Sequence, residues 1–162
     1  MKGGTTDFGI AVGATLLVDT SAVLAYLSGA EPTSAAAASI LDGMVASGRN
    51  AAAISAVTVT ESLVRPYRAG SDQAVALVEA FLQHFSNLRV EPVTFAVGRT
   101  AARIRATTSA PTPDALILAT GVVAGASVAV ANDGRWDSII KRAKLPIALV
   151  RLDAIAATGL AT

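Results

Sequence analysis

The stretch TLLVDTSAVLAYL, residues 15–27, decides how the rest of the chain is read. Leu16, Leu17 and Val18 run without interruption into one carboxylate, Asp19, and then two hydroxyls, Thr20 and Ser21. The run predicts a short strand over Leu16–Asp19, with a helix starting directly after it over Ala22–Leu27. A charged side chain at the end of a buried segment is unfavourable unless it is paired or faces a cleft. Asp19 is therefore either a cap for the next helix or part of a site, and both readings stand at this point.

Outward from this stretch, apolar strands alternate with amphipathic helices. The segment PTSAAAASILDGMVASG carries Ile40, Leu41 and Met44 at helical spacing and stops at Gly48. Ala51–Ile54 predicts a second strand. Ser55 or Thr58 would cap the following helix, which bears Glu61 and is expected to end near Pro66. SDQAVALVEAFLQHF places Val75, Leu77, Val78, Phe81, Leu82 and Phe85 on one helical face. A third strand is expected over Leu88–Val93, and a helix over 95–107 with Arg99, Arg103 and Arg105 on its polar side. TPDALILATGVVAG starts another helix, with Pro113 in its first turn. Ser127–Ala131 predicts a strand, Trp136–Arg142 a short helix and Ile147–Leu152 a last strand. This alternation implies an α/β fold: a three-layer α/β/α sandwich on a central, mainly parallel five-stranded sheet. Residues 1–13, rich in Gly and Thr at the start, are expected to be a flexible extension, and 14–162 a single domain.

Composition narrows the classes. Hydrophobic residues make up 52% of the 162 and charged residues 15%, with a net charge of +1, so any phosphate-binding patch must be local. The absence of cysteine excludes disulfide scaffolds and thiolate metal sites and permits a reducing compartment. Two apolar runs imitate membrane segments. Residues 8–18 lack the flanks of a signal peptide. Residues 115–132 approach spanning length and hold Gly121 and Gly125 at a membrane-packing spacing. Gly125 and Ser127 divide that run into a helix and a β-branched strand with acidic flanks, so no membrane association is expected.

In open α/β sheets, sites gather at the C-terminal ends of strands near the point where strand order reverses. Asp19 and Asp133 fall at such strand ends, Asp114 in a first helical turn, and Glu61 on the helix after the second strand. Each has an ordinary alternative. Asp114 is a common helix-start carboxylate, Asp133 in NDG fits a turn, and Glu61 has Arg65 one turn later as a partner. Four converging carboxylates without compensating cations would repel one another, and divalent cations resolve that conflict. Oxygen donors with no Cys and a single His favour Mg²⁺ or Mn²⁺ over Zn²⁺. His84 belongs to the amphipathic helix and reads as surface or packing.

The segments LLVDTSAVLAYL, ISAVTVTESL and TPDALILATGVVAGASVAVANDGRW resemble, in order, the motifs of PIN domains, especially VapC-type toxins of bacterial toxin–antitoxin pairs. The similarity spans about residues 15–152. It implies that Asp19, Glu61, Asp114 and Asp133 are the acidic metal-binding quartet, that Ser21 supports the site, and that Asn132 accompanies the last acid. Trp136 stands where the family usually has Phe, which implies packing. Asp137 reads as a first-turn helix carboxylate. The resemblance further implies a cytoplasmic, Mg²⁺- or Mn²⁺-dependent endoribonuclease, a cognate antitoxin and a homodimer. Arg65, Arg68, Arg99 and Arg103 are candidates for the RNA backbone. The N-terminal extension departs from the family pattern. A PIN-like binding module without catalysis is the alternative. A phosphotransfer α/β domain is a weaker one, since haloacid-dehalogenase chemistry wants Asp-x-Asp and the second position here is Ser21.

Overall fold

The computed structural model describes residues 8–159. Five strands form one sheet: β1 (Leu16–Val18), β2 (Ala52–Ser55), β3 (Leu88–Glu91), β4 (Val128–Ala131) and β5 (Ala148–Arg151). Their order is β3-β2-β1-β4-β5 and every pairing is parallel. β1 is central and fully buried, as expected of a strand covered on both faces. Alternation of side chains then divides the core. Leu16 and Val18 enter one apolar layer, while Leu17 enters the other.

The first layer is covered by α1 (Thr20–Ser28), α2 (Ser34–Ile40) and α4 (Asp72–His84). α2 continues through a π-helical segment, Leu41–Ala46. α3 (Ala56–Arg68) follows β2 and contacts both α1 and α4. The second layer is covered by α5 (Phe95–Thr107), α6 (Thr112–Val123) and α7 (Arg135–Arg142). A last helix, α8 (Leu152–Ala157), buries Leu152 and Ile155 and has no counterpart in the sequence-based expectations. Of the extension expected over 1–13, residues 1–7 lie outside the described residues. Within 8–13, Ile10 is fully buried, and the Asn50 side chain donates to the carbonyls of Ala11 and Ala14 at 2.9 and 2.8 Å.

Of two expectations for the helices after β2, one holds and one is corrected. α3 ends near Pro66, as expected, with Arg68 as its last residue. A proline in the last turn removes only one helical bond, and the carbonyls of Arg65 and Pro66 are taken up by Ala69 N–H and Ser71 N–H. On α4, Val78, Phe81 and Leu82 are buried as expected, whereas Leu77 is 56% exposed. The buried set follows the i, i+3, i+4 spacing, and Leu77 sits one step round the helix.

The long apolar run is divided where Gly125 and Ser127 suggested. α6 ends at Val123, Gly125 takes φ +75°, and β4 begins at Val128. Among the described residues no helix is long and apolar enough to cross a membrane. Gly121 is needed for close packing, because a Cβ there would lie 2.7 Å from Leu17 Cδ2. This glycine lets α6 lie directly on the central strand. Gly121→Ala is therefore expected to destabilise the fold by roughly 1–3 kcal/mol through overpacking, measured by urea denaturation, whereas Gly43→Ala, with open space around it, is tolerated sterically.

Candidate metal centre at the sheet edge

Strand order places the site. β1 lies between β2 and β4, so the chain reverses direction of travel across the sheet at the C-terminal ends of β1 and β4. Asp19 leaves β1 at this point, and its backbone N–H still donates to Val130 O of β4 at 3.0 Å. Its side chain caps α1, accepting from Ser21 N–H at 3.2 Å and from Ser21 Oγ–H at 2.6 Å. Ser21 Oγ in turn accepts from Asn132 N–H at 3.0 Å, which ties the β4 exit to the β1 exit. Asp19 is only 7% exposed. Burial raises its carboxyl pKa, opposed by the Ser21 hydrogen bonds, and the nearby Glu61 charge raises it further.

Glu61 stands beside Asp19 because of Thr20. The Thr20 hydroxyl donates to Glu61 Oε2, and Thr20 Oγ1 lies 3.3 Å from Thr58 Oγ1. Thr58 and Glu61, three apart on α3, share the face turned toward α1. Glu61 is thus held by a hydroxyl of α1 and not by Arg65, the partner considered from the sequence. Arg65 and Arg68 are exposed at the end of α3, and Arg99 and Arg103 are exposed on α5.

Asp114 occupies the first turn of α6. Its Oδ1 accepts from Trp136 Nε1–H at 3.2 Å, and Trp136 is fully buried. The indole therefore packs, as expected from its position, and also holds a candidate site carboxylate, which a Phe would not do. Asp133 is turned elsewhere. It accepts from the Arg135 N–H at 2.8 Å and from both Nε and Nη2 of the Arg135 guanidinium. The Arg135 hydrogen bond holds its carboxyl below the usual carboxylate range, with a further contribution from Arg151. The Arg135 guanidinium also feels the charge of Asp114.

The four acids therefore come as unequal parts: Asp19 beside Glu61, Asp114 on the indole, and Asp133 in the grip of Arg135. Among the described residues no three His, Cys, Asp or Glu side chains stand close enough to hold one ion. The donor chemistry nevertheless fits a hard divalent cation. Asp19 is a buried carboxylate with no cationic partner among the described residues, and Asn132 Oδ1 is buried without a hydrogen-bond partner. Both are oxygen donors of the kind Mg²⁺ and Mn²⁺ take. Asn132 Nδ2 donates to Thr33 Oγ1 at 3.2 Å. His84 is exposed and contributes nothing here. Thr20, Thr58 and Arg135 were missed in the sequence. The Thr58–Glu61 spacing was visible, but the approach of Thr20 across 41 residues was not.

The direction of the Asp19 shift has a consequence for stability. A carboxyl whose folded pKa is raised makes ionisation less favourable in the fold, so stability is lost as pH rises through that folded value. Asp19→Asn should therefore be more resistant to denaturant than the wild type near neutral pH in EDTA. The advantage should shrink toward the ordinary value of 3.8 and below. Denaturation curves across a pH series check this, and a pH-independent difference would contradict it.

No curated protein matches the sequence. Solved structures share its fold. VapBC2 from Rickettsia felis, crystallised bound to a DNA fragment from its promoter, contains a chain similar in fold at TM-score 0.66 and 14% identity, covering 83% of this chain and 96% of that one. FitAcB from Neisseria gonorrhoeae gives TM-score 0.62 at 18% identity, with 85% and 97% covered. DNA-bound VapBC from Salmonella typhimurium gives 0.57 at 17% identity, with 86% and 98% covered. At these identities the likeness concerns the fold. Independently, the PIN domain profile matches residues 16–141, from the first residue of β1 into α7 and across all four candidate acids. The chain belongs to the PIN domain family.

Proposed function

We propose that this protein is a divalent-cation-dependent endoribonuclease, acting as the toxin of a toxin–antitoxin pair. The observation that carries the reading is Asp19: a buried carboxylate, next to Glu61 at the strand-order reversal, with no cation of its own among the described residues. Such a group is stabilised in ionised form by a bound metal. Asp19, Glu61, Asp114 and Asp133 are the proposed ligands for Mg²⁺ or Mn²⁺, with Ser21 and Asn132 in support. When bound, such a cation supplies Lewis acidity, which makes water a usable nucleophile near neutral pH and offsets charge on the scissile phosphate.

The chain's own groups have separate roles. Ser21 fixes the Asp19 carboxylate and couples it to the β4 exit. Thr20 aims Glu61, which orients the attacking water or binds metal. Trp136 holds the Asp114 carboxylate by its N–H. Asp133 enters the ligand set when the Arg135 pair opens, and its exposed setting leaves that pair weak. In-line attack would leave a 5′-phosphate and a 3′-hydroxyl.

A partner antitoxin is proposed from the VapBC and FitAcB likeness, with an Arg or Lys approaching Asp19 and Glu61. A homodimer is proposed through exposed apolar side chains such as Val93, Phe95 and Val123. A cytoplasmic setting accords with the lack of cysteine. The Arg135–Asp133 pair favours a second reading, a PIN-type binding module in which the acids no longer meet a metal.

Two experiments decide. Asp19→Asn and Asp133→Asn should each abolish Mg²⁺-dependent cleavage of single-stranded RNA, and full activity in either purified variant would overturn the nuclease assignment. Thr20→Val should lower the cleavage rate by roughly 10- to 100-fold, at or below the 10²–10⁴-fold that losing a positioned acid–base group itself costs. Thr20→Ser keeps the hydroxyl and should retain most of the rate.

A further inference from the structure

A cavity of about 210 Å³ lies between the α5–α6 connection and α7. Arg135, Ser138 and Arg142 line it from α7, and Thr108, Ser109 and Pro111 from the opposite wall. The α7 residues follow an i, i+3, i+7 spacing and so form one stripe along the helix, opposite the buried Trp136. Among the described residues no carboxylate lines the cavity. Two guanidinium groups therefore border one concave space whose described wall carries no acid.

Arg142 is the informative member. On the same helix Lys141 is drawn to Asp137 at 2.7 Å. Arg142 is exposed and has no hydrogen bond or ion pair among the described residues. Thr108 and Ser138 already donate to backbone carbonyls, at 2.7 and 3.0 Å, whereas the Ser109 hydroxyl is uncommitted among the described residues. The available donors are thus a guanidinium fork and a hydroxyl, the combination that suits a phosphate oxyanion. The volume is below that of pockets for drug-sized ligands, roughly 300–1,000 Å³, and suits a phosphodiester group.

The cavity adjoins the candidate metal centre. Arg135 lines it and pairs with Asp133. Pro111, on its other wall, starts α6, whose first turn carries Asp114. Trp136, the neighbour of Arg135, donates to that same Asp114. We propose that this cavity is a phosphate subsite of the chain, in which Arg142 binds a backbone phosphate of single-stranded RNA next to the acidic residues. The inference rests on the nuclease reading for its choice of ligand. It places the backbone contact on α7, away from Arg65, Arg68, Arg99 and Arg103, none of which lines this cavity.

The test separates binding from cleavage. The full chain in EDTA is titrated into a short, fluorescein-labelled, single-stranded RNA of mixed sequence, and anisotropy is read over a salt series. Arg142→Ala should weaken binding about five- to tenfold and flatten the slope of log K against log salt by roughly 0.7, the value for one phosphate contact on a single strand. Arg142→Lys keeps the charge and should keep the slope while losing part of the affinity. Arg89→Ala, on the far edge strand β3, controls for net charge and should change little. Arg142→Ala binding like the wild type, Arg89→Ala losing as much, or a wild type that binds no RNA would each overturn the subsite. A wild type that cleaves RNA with Mg²⁺ yet ignores Arg142 sinks the subsite alone. Arg142-dependent binding without cleavage in Mg²⁺ or Mn²⁺ sinks the nuclease reading alone.

Discussion

The arrangement depends on one buried carboxylate at the end of one buried strand. Asp19 follows directly on Leu16–Val18, the most enclosed backbone of the sheet, so its position is set by the core itself. An ionised carboxylate in such a place is unfavourable without hydrogen bonds or a cation. Ser21 supplies hydrogen bonds through its backbone and its hydroxyl. Because Ser21 Oγ also receives the Asn132 N–H, satisfying Asp19 joins the exits of two neighbouring strands. Capping of α1 and construction of the site are thus the same set of contacts.

The other acids are held by quite different means. Glu61 hangs from a threonine hydroxyl of another helix, a short-range contact between α1 and α3. Asp114 leans on the N–H of a fully buried indole, so its orientation is as rigid as the packing of the second core layer. Asp133 is held by a solvent-exposed arginine two residues away. Opening an exposed pair requires little free energy, whereas displacing the indole would disturb the core.

Much of this was legible because local rules and the global fold agree. The LLV run, the glycine-divided segment over 115–132 and the Pro113 helix start each carry their own signal. Together they specify a five-stranded parallel sandwich with Asp19 and Asp133 at strand ends, Asp114 at a helix start and Glu61 on the helix after β2. The fine contacts were less accessible. Asp19 read as cap or ligand from sequence, and its side chain does cap α1. Trp136 read as packing, and the direction of its N–H depends on where α6 lies. Arg65 was one alternative for Glu61 because one-turn neighbours are the only ones visible along a helix. Thr20 prevailed because α1 and α3 meet in space.

By itself, the sequence determined the fold class, the order of strands along the chain and the residues able to carry charge at the sheet edge. Those follow from hydrophobic periodicity and turn chemistry, which act between near neighbours. Only the tertiary structure decided how the charges are partnered. It set Glu61 on Thr20, Asp114 on Trp136 and Asp133 on Arg135, and it left Arg142 facing a cavity. Hydrogen bonds and Coulomb forces act over a few ångströms of space regardless of separation along the chain. Such contacts exist only once the sheet and its two helical layers have brought distant residues together.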